Sequence, residues 1–263
     1  MLGKDQYSNS GKYEARIHLN ARFKTRPGSK FKWIFEHFPK GEGLRVLELG
    51  CGNGLFWLAN RAAIPASWKI TLTDYSPVML NSARASLTRL GRQFEYEVMD
   101  AANICCQAKS FDIILANNIL YHVEERNTAI QNISNVLKDG GCFLASTMGN
   151  SDMRELNQIL YDFLGSRNKY FRFRENPFSL NNGGEQLKSG FSKVDLFRYE
   201  DSLCITEVKP IVDYYLSFNG MYDGATVMEE TEVAPFSEYL RSILETKKEI
   251  LVTKDSGVFI CSQ

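Results

Sequence analysis

One segment constrains the fold more than any other: Val46-Leu-Glu-Leu-Gly-Cys-Gly-Asn-Gly54. It reads as a buried strand, a glycine turn that can take left-handed backbone angles, and the start of a helix. Parallel strands need crossover connections, usually helices, so a strand that feeds directly into a helix points to a parallel neighbour. The first 150 residues supply such neighbours. Ser29 is positioned to cap a helix whose apolar residues Phe31, Ile34, Phe35 and Phe38 fall at i, i+3, i+4 and i+7. After the break at Pro39–Gly43, strands are expected at Leu44–Leu49, Lys69–Thr73, Phe94–Met99, Phe111–Ala116 and Cys142–Ser146. Between them lie a helix over Leu55–Ala63, a helix begun by Ser76 and Pro77 that carries Met79, Ala83, Leu87 and Leu90, and a helix carrying Ala129, Ile130, Ile133, Val136 and Leu137. Asp139-Gly140-Gly141 should stop the last of these. Five strands alternating with helices imply an α/β fold on a parallel sheet.

After Thr147 the rhythm changes. A helix is expected around Met153–Phe163, then an aromatic and basic stretch (Tyr170, Phe171, Arg172, Phe173, Arg174), a strand over Phe191–Tyr199, helices near Ile211–Phe218 and Phe236–Leu244, and a closing strand over Gly257–Cys261. The 263 residues suit one α/β domain, 1–263, with residues 1–40 as an N-terminal helical cap segment and 150–190 as a cap or lid insertion. Lys+Arg and Asp+Glu both total 31, so no net field draws nucleic acid or an anionic membrane. No apolar run reaches membrane-spanning length and no secretion signal is visible, so a cytoplasmic location is expected. The six cysteines lack CxxC spacing and there are only three histidines, which argues against a zinc site and for reduced thiols.

The glycine turn gains meaning from its surroundings. Glu48 precedes Gly50 by two residues, where an acid can meet a cationic amino group. Position 55 is Leu, so the third glycine of the dinucleotide fingerprint, which serves packing around a pyrophosphate, is absent. Asp74 ends the second strand, where a carboxylate can accept hydrogen bonds from both hydroxyls of a ribose; the competing role, capping the next helix, already falls to Ser76. Asp100 follows the third strand, placed to accept from an adenine amino group while the Ala101 amide meets the ring.

These segments together resemble the class I S-adenosylmethionine-dependent methyltransferases. VLELGCGNG is similar to the family's first motif, TLTDYSPVML to its second-strand acid and adjoining helix, and VMDAA to its adenine-side motif; FDIILANNILYHV and LKDGGCFLAST resemble its fourth and fifth strands. The resemblance spans residues 44–147. It implies a Rossmann-like doubly wound seven-stranded sheet of order 3-2-1-4-5-7-6, strand 7 antiparallel, with an inserted helical cap. It also implies S-adenosylmethionine as cofactor and S-adenosylhomocysteine as product. The implied cofactor-binding residues are Arg22, Glu48, Gly50, Cys51, Gly52, Asp74, Tyr75, Met79, Asp100, Ala101, Ala102 and Asn117. No metal is expected.

On the acceptor side, His122 follows the fourth strand and is the candidate general base; the competing and preferred role is a structural histidine at the start of the next helix. Arg22 could close over the methionine carboxylate or be a surface residue. Tyr121 could line the methyl channel or simply pack. The 170–174 stretch and the Tyr214, Tyr215, Phe218, Tyr222 cluster are lid candidates whose alternative is core packing. Cys51 faces the loop, but nothing marks it as a nucleophile. A small-molecule acceptor is expected. An Asn/Asp-Pro-Pro-aromatic motif for DNA amino groups is missing, as are a Pro-Cys pair for cytosine and a basic tail. Protein or RNA methylation, and a non-catalytic cofactor-binding protein of the same fold, remain alternatives.

Overall fold

The computed structural model describes residues 10–165, 176–220 and 225–263. The aromatic-basic stretch 170–174 and Tyr222 lie outside them. The chain divides into two compact units. One is drawn from residues 28–150, 176–199 and 256–263, the other from 1–27, 151–175 and 200–255. The segments 1–40 and 150–190 are thus each shared between the units. Among the described residues no helix is long and apolar enough to cross a membrane.

Seven strands form one sheet: β1 (Arg45–Leu49), β2 (Lys69–Asp74), β3 (Glu95–Val98), β4 (Phe111–Asn117), β5 (Leu137–Met148), β6 (Lys193–Ile205) and β7 (Ile250–Ser262). Their order is β3-β2-β1-β4-β5-β7-β6, with β7 antiparallel to β5. Near-continuous apolar runs in β1 and β4 let side chains that alternate between the two faces be buried on both, as a parallel core requires. Leu47, Leu49, Ile114, Ala116, Phe143 and Ala145 pack on one side with Ile130 and Ile133 of α5 (Arg126–Val136). Val46, Ile70, Leu72, Ile113, Leu115 and Leu144 pack on the other. There they meet Ile34 of α2 (Lys30–Glu36), Phe56 and Trp57 of α3 (Leu55–Ala59), and Leu80 and Ala83 of α4 (Pro77–Leu87). Ser29 caps α2 by accepting from the Phe31 amide, and Ser76 caps α4 by accepting from the Met79 amide.

The second unit gathers α1 (Ser10–Phe23), α6 (Arg154–Leu164), α8 (Val208–Leu216) and α9 (Glu230–Lys247) around Leu19, Leu156, Leu160, Tyr215, Phe236 and Leu240. Tyr214, Tyr215 and Phe218 are buried members of this core, Tyr214 meeting each of the other two edge-to-face, so packing and not lid contact accounts for them. Five residues from Gly183 to Leu187 form a further short helix, α7, in the sheet unit.

Helix α9 and strand β6 run longer than expected, to Lys247 and Ile205, and three further boundaries differ for a visible reason. Helix α3 ends at Ala59, not Ala63, because the Asn60 side chain donates to the Phe56 carbonyl and, through Phe31, ties the end to α2. Helix α5 ends at Val136, and Leu137 opens β5 opposite Phe111. The Asp139-Gly140-Gly141 stop is a bulge inside that strand: Phe111 pairs with Leu137 but Ile113 with Cys142, and Gly140 takes φ 72°. Strand β7 begins at Ile250, well before Gly257. Its polar half is held within its own unit by Glu155, which accepts from the Thr253 amide and hydroxyl, and by the half-buried Asp152–Lys254 pair.

Candidate active site

The carboxyl ends of β1, β2, β3 and β4 carry the residues of interest. After Leu49 the chain turns through Gly50 (φ 70°), Gly52 (φ 57°) and Gly54 (φ 79°) into α3. A side chain at such angles costs roughly 1–2 kcal/mol, which explains the recurrence of glycine. Space is a second reason at Gly50, where a Cβ would lie 2.4 Å from the Ile119 side chain. The turn after β4 therefore presses directly on the loop. At Gly52 only the Met79 methyl comes near, 3.7 Å from where a Cβ would sit.

The loop is tied to the strand ends by backbone bonds. The Cys51 amide donates to the Thr73 carbonyl at 2.8 Å and the Gly52 amide to Asp74 Oδ2 at 2.9 Å. Asp74 Oδ1 accepts from the Ser76 amide, also at 2.9 Å. Burial pushes the Asp74 carboxyl up from its ordinary value, and the two amide bonds pull it down. Its neighbour Tyr75 is 61% exposed, whereas Met79 is buried.

Glu48 is 1% exposed on β1, and Trp57 Nε1 donates to its Oε2 at 2.6 Å. Burial, reinforced by the charge of Asp74 and opposed by the indole bond, pushes its carboxyl up to about 8. Cys51 is buried, and its thiol is pushed far above the ordinary range by burial and by Glu48 and Asp74. It is a packed, unreactive residue. A small thiol reagent is expected to modify the exposed Cys105 before Cys51, and mass spectrometry of partially labelled protein showing Cys51 first would contradict this.

After β3, Asp100 is exposed; its Oδ1 accepts from the Ala102 amide at 2.8 Å and its carbonyl from the Asn103 amide. The Ala102 carbonyl is held by Asn132 of α5 at 2.8 Å, so the Asp100–Ala102 turn is braced from below. At the end of β4, Asn117 Oδ1 accepts from Ser146 Oγ at 2.5 Å and from Asn118 Nδ2 at 3.3 Å. His122 closes a short 3₁₀ turn (Leu120–His122), its ring 4.3 Å from that of Tyr121. Burial lowers its pKa to about 4. Arg22 belongs to the other unit, where it pairs with Glu207 and stacks over Phe23.

The glycines, Glu48, Asp74, Asp100–Ala102, Asn117 and His122 thus cluster at one end of one sheet. Trp57, Ser146 and Asn118, which orient Glu48 and Asn117, were missed, because their partners are set by tertiary packing and carry no spacing signal.

Residues 46–141 match the family model described as a methyltransferase domain. That segment lies on a sheet of order 3-2-1-4-5-7-6, the order the resemblance implied. Over 107 residues the domain is 31% identical to a ubiquinone biosynthesis O-methyltransferase of Xanthomonas axonopodis pv. citri, covering 40% of this chain and 44% of that protein. Over 114 residues it is 31% identical to ribosomal RNA large subunit methyltransferase G of Psychromonas ingrahamii, covering 40% and 29%. The chain spans less than half the length of these curated relatives. The structure of Haemonchus contortus phosphoethanolamine N-methyltransferase 2 in complex with S-adenosyl-L-methionine shares the fold. It is 18% identical with a TM-score of 0.58, over 99% of this chain and 58% of that one.

Proposed function

We propose that the protein transfers a methyl group from S-adenosylmethionine to a small-molecule acceptor, leaving S-adenosylhomocysteine. The observation that carries this reading is the pair of carboxylates, Asp74 and Asp100, on successive strand ends beside a left-handed glycine turn. Both are acceptors and match two donor groups of this cofactor, the ribose hydroxyls for Asp74 and the adenine amino group for Asp100. Glu48, expected to meet the ammonium, is instead sealed beneath Trp57 and protonated to about pH 8. The Gly50–Gly52 turn gives the backbone access a ligand needs, and Met79 lies at its edge. A dinucleotide would set two phosphates against the same acids. Calorimetry is expected to show S-adenosylhomocysteine binding at micromolar strength or better and no binding of NAD; the reverse pattern would overturn the proposal.

When bound, the cofactor supplies a sulfonium methyl with an excellent leaving group. The work left to the chain is to position and desolvate the acceptor. A histidine with a pKa of about 4 is uncharged across the physiological range and is a weak base, which supports a structural His122. His122→Ala is expected to keep turnover within a few-fold of wild type, and the pH–rate profile to lack a limb between about 6 and 7.5. A hundredfold loss, with a limb that vanishes in the variant, would make His122 the general base.

A small acceptor is supported by the balanced charge and by the ubiquinone-pathway relative. The ribosomal RNA relative is the reason to run both assays: labelled cofactor with a metabolite extract, and with ribosomal RNA. Methyl incorporation into RNA alone would replace the small-molecule reading. The cysteines are all free, which supports a reducing, cytoplasmic setting.

A further inference from the structure

Beyond the 3₁₀ turn of His122 stands a cation that the cofactor reading does not use. Arg126 opens α5 and is half-buried. Its Nη1 donates to the Val123 carbonyl at 2.6 Å and its Nε to Gln186 Oε1 of α7 at 3.1 Å. The Gln186 amide is itself fixed, because Nε2 donates to the Pro177 carbonyl at 2.9 Å and to Asn182 Oδ1 at 3.2 Å. Asn182 is fixed in turn, donating to the Asn176 carbonyl and accepting from the Ser179 amide. All of these residues belong to the sheet unit. The plane of the guanidinium is thus set by two layers of neutral partners. Among the described residues Nη2 donates to nothing, and no carboxylate lies within ion-pair distance of Arg126. Nor is Nη2 one of the sealed atoms of the interior, so a ligand can reach it.

The plain alternative is a tie between α5 and α7. Two features count against it. A tie made to a carbonyl and an amide needs no charge, and a charge held partly out of water is unfavourable without a counter-ion. The first turn of a helix also carries the positive end of its dipole, where a cation is destabilising. Glu124 and Glu125 lie just upstream, yet both are exposed and neither pairs with Arg126. A fixed guanidinium with a donor uncommitted is preorganised for an oxyanion. Val123, which holds it, leaves the His122 turn at the carboxyl end of β4, away from the acids of β2 and β3.

We propose that Arg126 binds the methyl acceptor through an oxyanion, so that the acceptor is a small molecule carrying a carboxylate or a phosphate. This rests on the methyl-transfer reading above and adds the chemical class of its acceptor. The test uses labelled S-adenosylmethionine and a metabolite extract split on an anion exchanger. Wild-type protein is expected to methylate the retained fraction. Arg126→Gln is expected to raise the apparent KM for that fraction at least about tenfold, with kcat changed less. Arg126→Lys, which keeps the charge but not the planar donor set, should fall between. Calorimetry should show S-adenosylhomocysteine binding to the glutamine variant within about twofold of wild type, which also shows that the site is folded. Phosphatase treatment of the retained fraction separates the two oxyanions: acceptance that is lost identifies a phosphate, acceptance that persists a carboxylate. Methylation confined to the unretained fraction would overturn the proposal. An unchanged KM with a lowered melting temperature would also overturn it, making Arg126 a tie between helices. Weakened S-adenosylhomocysteine binding in the variant would overturn it too, by giving the guanidinium to the cofactor's own carboxylate. Wild-type protein that binds no S-adenosylhomocysteine would instead refute the cofactor reading itself.

Discussion

Glu48→Gln is expected to gain stability over the wild type by about 1.4 kcal/mol for each pH unit between roughly 4.5 and 8. The folded carboxyl holds its proton to about pH 8, because β1 buries it and Asp74 repels the ionised form. In the unfolded chain the same group ionises near its ordinary value of 4.5. Across that window the native state binds one more proton than the unfolded state, so stability falls as pH rises. Glutamine accepts from Trp57 as glutamate does but has no proton to lose, which removes the slope. The wild type alone will not show it cleanly. His122, lowered from 6.5 to about 4, makes the unfolded state the more protonated one over that range, and stability there rises with pH by a similar amount. The two slopes offset up to about pH 6.5, above which that of Glu48 stands alone. Urea denaturation of both proteins at pH 5, 6, 7 and 8 measures the difference. A constant gap between them would mean that Glu48 is ionised in the folded chain.

Asp74→Ala should weaken S-adenosylhomocysteine binding by one to two decades, since a charge-assisted contact to both ribose hydroxyls is worth roughly 1.5–3 kcal/mol. The geometry adds a second consequence. The Gly52 and Ser76 amides lose their common acceptor, so the variant should also melt earlier. A lowered melting temperature with an unchanged dissociation constant would assign Asp74 to holding the loop alone.

The strand–helix alternation and the strand-end cluster were legible because they rest on local signals: short apolar runs, glycine at turns, and acids at or next to a strand end; the sheet order came with the family resemblance. Ser76 before Pro77 foretold its cap correctly. The failures share a cause. Asp139-Gly140-Gly141 has the composition of a helix stop, and only the facing register of β4 makes it a bulge. The polar half of β7 resembles a loop until Asp152 and Glu155 satisfy it. That Glu48 is sealed beneath Trp57 likewise depends on where α3 lands, which spacing in the chain does not state.

The carboxylates of Asp74 and Asp100 are each fastened to backbone amides of their own turns, those of Gly52, Ser76 and Ala102. Their rotamers are therefore chosen in the free protein. A ligand that meets them need not freeze two mobile side chains, a saving of roughly 0.5–1.5 kcal/mol apiece. Such preorganisation has a thermodynamic signature: the heat-capacity change on binding should reflect only the apolar surface the ligand itself covers, with no added contribution from ordering of the protein. Amide hydrogen exchange at Gly52, Ser76 and Ala102 should already be slow before ligand is added, and should change little afterwards.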